Sequence, residues 1–406
     1  MITILIFLTT KLLIPMDLKQ TDHLKAYGVA YYALEEGLDV EWLLNYRGGS
    51  FLINYDRTIE KRCMEKGVYS QRLSSNGALE VYRTIEKNNM ESILLEKAPK
   101  IAVYIPHHYE PWDDAVALAL EYAEITYDRI WDTEVLRGKL PKYDWLHLHH
   151  EDFTGQYGKF YGSSRNKPWY QNEVKINEDL ALKFGFKSVP ALKLAVAKRI
   201  KEYIEQGGFI FSMCSACDTY EIGLSAEGVD ICDKVYDGDP PDRDYQRKLN
   251  FERCLAFTNF QLITSPYIYE HSDIDVTRDA DRRGRFVFFS LFDFSAKFDP
   301  VPTMLVQNHT ALVREFLGQC TGFHRNRIKK KILVLAEVKG TDEVKYLHGT
   351  YGKGSFTYLG GHDPEDFRHF VHDPPTDLSK HRNSPGYRLI LNNILYPAAK
   401  KKKLKT

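Results

Sequence analysis

A cysteine falls where a short apolar strand must turn: Gly207-Gly208-Phe209-Ile210-Phe211-Ser212-Met213-Cys214-Ser215-Ala216. Paired glycines end a helix before this strand, and the small Ser215 and Ala216 allow close backbone approach after it. A sharp turn at a strand's carboxyl end presents a nucleophile, and nearby backbone N–H groups can hold an oxyanion. An inert buried cysteine is the plain alternative. Much later, Gly360-Gly361-His362-Asp363-Pro364-Glu365 delivers a histidine and a carboxylate into a glycine-opened turn. A thiol becomes a nucleophile when a base takes its proton, and a carboxylate can orient that base. Cys214, His362 and Glu365 supply those three catalytic parts, with Asp363 and Asp366 as rival orienters.

A third segment is Asp144-Trp145-Leu146-His147-Leu148-His149-His150-Glu151-Asp152. By strand alternation His147 and His149 share one face, and Leu146 and Leu148 the other. His150, Glu151 and Asp152 then fall at or beyond the strand's carboxyl end. Three roles suit this cluster: a loop that binds substrate, a divalent-metal site completed by His362 or Asp363, or a hydrogen-bonded structural turn. Ser215, His149, His150, Glu151 and Asp152 are the candidate substrate and oxyanion residues. No cofactor and no resident metal is assigned. The phosphate loops GxGxxG and GxxxxGK[ST] are absent, and the Cys214–Cys217 CxxC has no second half to close a zinc knuckle.

A cysteine elbow followed late in the chain by a His–Glu turn resembles the class I glutamine amidotransferase-like fold. In that family the strand-end motif reads His-Pro-Glu. Here His362-Asp363-Pro364-Glu365 carries one residue more, and Ser212 and Ala216 stand where the family's elbow has glycines. The resemblance implies a loop before the elbow that contributes an oxyanion donor, which is the position of His149 to Asp152. Over nearly its whole length the chain also resembles bacterial proteins grouped under the name "asparagine synthetase B". The segments that carry this are LLNYRGGSF, YDWLHLHHEDFTGQYGKF, LSAEGVDIC, QNHT, YLGGHDPEDF and SPGYRLILNNILYPAA. True glutamine-dependent asparagine synthetases have a nucleophilic cysteine where Ile2 stands, and an ATP-pyrophosphatase loop that Arg47-Gly48-Gly49-Ser50 does not continue. The likeness is therefore to the group and not to that enzyme.

Composition narrows the partners. Lysine plus arginine and aspartate plus glutamate each number 55 in 406 residues, so no positive field gathers nucleic acid. Aromatic residues at 13% call for a packed core, which argues against disorder. No apolar run nears the roughly 20 residues of a membrane span. Six scattered cysteines do not make a disulfide framework. Met1 to Leu8 is apolar without a basic start, and residues 1–11 read as a signal remnant or a first strand. The reading leans toward a periplasmic or exported protein. Residues 400–406 are a basic tail.

The elements that must position these residues alternate strand and helix. Thr21 or Asp22 caps a helix ended by Gly37, Val40 to Tyr46 is a strand, and helices follow over 58–66 and 79–87. Residues 12–98 form a smaller N-terminal α/β domain, and 99–399 the main domain. Within the main domain Ile101 to Ile105 is a strand and Asp113 caps the next helix. Tyr143 to His149, Phe209 to Met213, Phe286 to Phe292, Ile332 to Glu337 and Phe356 to Leu359 are later strands. The fold class is α/β with doubly wound, mostly parallel sheets. The first functional reading is a thiol-dependent amide or ester hydrolase, or an amidotransferase-like protein, acting on a small-molecule or peptide-like amide. The others are a non-catalytic ligand-binding or assembly protein, and a metal-dependent hydrolase built on His147, His149, His150 and His362. Oligomeric state is not legible.

Overall fold

The structure, a computed structural model, describes residues 10–108, 114–370 and 373–400, with side chains undescribed at 300–302. Residues Met1 to Leu8, Asp113 and the tail beyond Lys400 lie outside the described residues. Strands β1 (Lys11–Ile14), β2 (Val40–Leu44), β3 (Ser50–Asn54), β4 (Gln71–Leu73) and β5 (Glu91–Leu95) form a first sheet in the order β4-β1-β3-β2-β5. Every pairing in it is antiparallel, which corrects the expectation of a parallel sheet over 12–98. For β2 and β3 the cause lies in their connection. Its five residues are too few for a crossover, and Asn45, Arg47, Gly48 and Gly49 take positive φ to turn the chain back on itself.

The second sheet holds β6 (Ile101–Tyr104), β7 (Asp128–Ile130), β8 (Trp145–Leu148), β9 (Phe209–Met213), β10 (Phe288–Leu291), β11 (Leu312–Arg314), β12 (Phe323–His324), β13 (Leu333–Val338), β14 (Glu343–Tyr351) and β15 (Gly354–Leu359). Its order is β11-β10-β13-β14-β15-β9-β8-β6-β7, with β12 on β14. The run β15-β9-β8-β6-β7 is parallel, and the remainder is antiparallel. The protein is therefore α/β with one mixed and one antiparallel sheet.

Strand alternation decides the layers. Leu12, Ile14, Trp42, Phe51 and Ile53 of the first sheet join Ile101, Val103, Trp145, Phe209 and Phe211 of the second in one continuous core. The helices His23–Glu35, Ala115–Ala123 and Pro385–Leu395 contribute to the same core. The units expected over 12–98 and 99–399 thus share their interior. Gly28 lets two of these helices touch, because a Cβ there would lie 1.9 Å from the Ala123 carbonyl oxygen. The opposite face of the second sheet, with Ala102, Tyr104, Leu146, Leu148 and Ile210, packs on the helices Val189–Gln206 and Ala216–Ser225. Leu13, Leu43 and Leu52 turn outward to Val81 and Ile85 of the helix Ser75–Lys87. Among the described residues no helix is long and apolar enough to cross a membrane.

Candidate functional site

The five parallel strands end along one edge, and the residues with chemistry follow them. His107, His108 and Asp114 come after β6, Asp132 after β7, His149 to Asp152 after β8, Cys214 and Ser215 after β9, and His362 after β15. The chain leaves β6 for β7 on one side and returns to β8 on the other. The crevice between β6 and β8 is the topological switch point, where open α/β sheets bind ligands.

A row of imidazoles runs from the end of β8 to the turn after β15. His147 Nδ1 is 2.8 Å from the Phe211 carbonyl oxygen, His147 Nε2 is 3.1 Å from His149 Nδ1, and His149 Nε2 is 3.0 Å from His362 Nδ1. A carbonyl only accepts, so His147 carries its proton on Nδ1. With neutral rings the rest follows. His147 Nε2 accepts from His149 Nδ1–H, His149 Nε2 accepts from His362 Nδ1–H, and the lone pair of the last ring is on Nε2. His147 and His149 are fully enclosed, and His362 is nearly so.

Asp114 backs this row. Its Oδ1 accepts from the Val116 and Ala117 N–H groups at 2.7 and 3.1 Å, capping the helix Ala115–Ala123. The same oxygen lies 3.4 Å from His147 Nε2 and 3.5 Å from His149 Nδ1. Burial alone would raise the Asp114 pKa, but His147, His149 and His150 hold it well below the usual carboxylate range. Burial also drives His149 far below the ordinary imidazole value, with Asp114 opposing only in part. Burial thus favours a neutral His149 ring.

Cys214 stands at the elbow between β9 and the helix Ala216–Ser225 with φ of 50°, in the left-handed region. Its N–H donates to the Gly361 carbonyl at 3.0 Å, and the Gln319 N–H donates to its Sγ at 3.2 Å. The side chain is buried, and burial pushes the thiol up to about 11 against the Gln319, Ser215 and Cys320 N–H groups, which favour the thiolate. All six cysteines are free and buried. Ser215 lies at the start of the helix, and its buried Oγ finds no hydrogen-bond partner among the described residues.

The remaining expected residues divide. Glu365 Oε2 pairs with His381 Nδ1 at 3.0 Å, so the carboxylate behind the histidine row is Asp114, not the acid of the His–Glu turn. Asp363 accepts from the Glu365 N–H and the Thr376 hydroxyl, shaping that turn. Asp366 Oδ2 is 3.1 Å from Nδ1 of His369, whose ring stacks on His362 at 4.5 Å. Asp152 accepts from the N–H groups of Thr154, Gln156 and Gly158, and so builds the loop after β8. Glu151 is pushed up to about 8 by burial despite Lys193 at 4.0 Å. His150 is half-buried, its ring 5.9 Å from that of His362.

Sequence reasoning missed Asp114 and Gln319. Asp114 has a signal, an acid at a helix start facing the switch point, and it is Asp114 that caps the helix Ala115–Ala123, one residue later than the spacing predicts. Gln319 acts through its backbone, which no side-chain pattern announces.

No family model and no curated protein matches the chain. Among solved structures, it is similar to Cytoplasmic Protein STM3548 from Salmonella typhimurium at 12% identity. That match covers 74% of this chain and 100% of the other, with a TM-score of 0.37. Cytoplasmic Protein STM1381 from Salmonella typhimurium LT2 matches at 14% identity over 74% and 100%, with a TM-score of 0.36. Gan42B, a GH42 beta-galactosidase, matches at 11% identity over 66% of this chain and 28% of its own, with a TM-score of 0.25.

Proposed function

We propose that the protein is a thiol-dependent amide or ester hydrolase with an amidotransferase-like main sheet. The observation that carries this reading is the backbone of Cys214. A non-glycine residue in the left-handed region costs roughly 1–2 kcal/mol, and such strain is retained where a side chain must be presented. Here it occurs at a parallel strand's carboxyl end, and Cys214 is bonded to the residue before His362. In the reaction the sulfur bonds to the carbonyl carbon while His362 takes the thiol proton. His362 then gives that proton to the departing amine or alcohol, and water cleaves the thioester. Asp114, through His147 and His149, orients the base. In this reading the Gln319 and Ser215 N–H groups, which face the sulfur at rest, hold the oxyanion.

The test is acid-quenched intact-mass analysis of the full chain with a panel of p-nitrophenyl esters and amino-acid amides. An acyl adduct on Cys214 is expected, absent in Cys214→Ala and slowed by about 100-fold or more in His362→Ala. Equal turnover by wild type and Cys214→Ala would overturn the thiol reading. No adduct and no turnover across the panel would leave the binding-protein reading in its place.

A further inference from the structure

We propose that His149, His150 and His362 form a binding site for one borderline divalent cation of the zinc class, with Asp114 and His147 as its supporting shell. Their ring nitrogens already converge, since one ligand atom from each lies within 4.8 Å of the others. His149 Nε2 and His362 Nδ1 are 3.0 Å apart. Tetrahedral coordination with bonds of about 2.0–2.1 Å needs donor atoms about 3.3–3.4 Å apart, so the pair opens by only a few tenths of an ångström. His150, half-buried at the loop after β8, supplies the third donor.

The shell behind the pair has the arrangement that metal-binding histidines use. The Phe211 carbonyl fixes His147, His147 and Asp114 fix His149 with its proton on Nδ1, and the His149 Nε2 lone pair is thereby turned to the site. A second observation points the same way. Asp114 is a fully buried carboxylate whose Oδ2 has no hydrogen-bond partner among the described residues. The imidazoles of His147 and His149 stand 3.4 and 3.5 Å from its other oxygen. A cation on His149 Nε2 places positive charge one ring away from this carboxylate. Binding moves the His362 proton from Nδ1 to Nε2, so no net proton is lost and the fourth position is left to water or a substrate oxygen. The bound state also removes His362 as a base for Cys214, and the two chemistries are alternatives at one site.

Binding, not activity, is the measurement, so its outcome is independent of the thiol reading. The full chain, stripped with chelator, is titrated with zinc by calorimetry and with cobalt by visible spectroscopy. One cation per chain is expected, with intense cobalt d–d bands of tetrahedral type. His150→Ala, at a half-buried position that tolerates truncation, should weaken zinc by about 100-fold or more, and Asp114→Asn by about 10–100-fold. The half-buried group Asp366, His369 and Asp373 is a rival site, and Asp373→Ala, which does not touch His362 as His369 does, should leave binding unchanged. Absence of binding below millimolar zinc, octahedral cobalt spectra, or binding lost in Asp373→Ala and kept in His150→Ala would each overturn the proposal.

Discussion

The Cys214 N–H donates to the Gly361 carbonyl at 3.0 Å, so the strained elbow and the turn that carries His362 are one mechanical unit. Gly361 makes that possible with φ of 96° and a Cα that faces Phe316. A Cβ there would lie 2.4 Å from the Phe316 ring and 2.7 Å from its carbonyl oxygen. Gly361→Ala is therefore expected to lose about 2–4 kcal/mol by chemical denaturation and to abolish Cys214 acylation. Gly37→Ala is the control. Its φ is also positive, but no atom stands within 4 Å, so only the backbone strain of about 1 kcal/mol remains.

The Cys214 thiol is neutral at rest because burial outweighs the three N–H groups around it. Iodoacetamide labelling of Cys214 should climb about tenfold per pH unit from pH 7 and level off near 11, because only the thiolate reacts. Peptide mapping of the labelled site reads the profile. A rate that is already flat between pH 7 and 9 would mean that an ion pair ionises the thiol before substrate arrives.

The strand-to-helix turn at Cys214 and the pairing of His147 with His149 were legible because both follow from local periodicity. Apolar runs bounded by glycine mark β9 and β15, and alternation places the two histidines on one face. The partners of those residues were not legible. Asp114 meets His149, and Gln319 meets Cys214, only after strands distant in sequence are laid side by side, and no spacing rule reports that. The strand Glu343–Tyr351 was missed for another reason. It buries Lys345 and His348, which look like surface residues until the Lys345 ammonium is seen donating to the Phe316 and Thr321 carbonyls at 2.7 Å. The antiparallel first sheet is not legible because helices in its connections suggest crossovers, whereas β2 and β3 form a hairpin and the helical connections also lead to antiparallel neighbours.

Asp275 gives the fold a pH dependence. Its Oδ1 accepts from the Thr277 and Thr321 N–H groups at 2.9 and 3.0 Å, while Oδ2 is buried without a partner among the described residues. Burial pushes its carboxyl up to about 7. In the unfolded chain it ionises near 4, so the folded state holds an extra proton between those values. Stability should therefore be greatest below pH 4 as far as this group is concerned, and fall by up to about 1.4 kcal/mol per pH unit until about 7. Asp275→Asn keeps the acceptor and removes the titration. Melts of the variant should lose that slope and match or exceed wild type at pH 7.5. A slope that survives the substitution would assign it to another group.

Lys193 and Asp132 form a closed ion pair at 2.8 Å beneath the same strand edge, both almost fully buried. The Tyr104 hydroxyl donates to the other Asp132 oxygen, and the Lys193 ammonium also lies 5.2 Å from the Trp131 ring centre. Removing one charge strands the other, so Lys193→Met should cost about 3–5 kcal/mol. Asp132→Asn in the same chain removes the stranded charge and keeps the Tyr104 bond. The double variant should recover most of the loss, with a coupling of about 2 kcal/mol or more in a urea double-mutant cycle. Glu151 gives a second readout. Lys193 is the cation that lowers its pKa, so in Lys193→Met its carboxyl should stay protonated above the value of about 8 it holds in the wild type. Additive single and double variants would mean that water, not Asp132, carries the Lys193 charge.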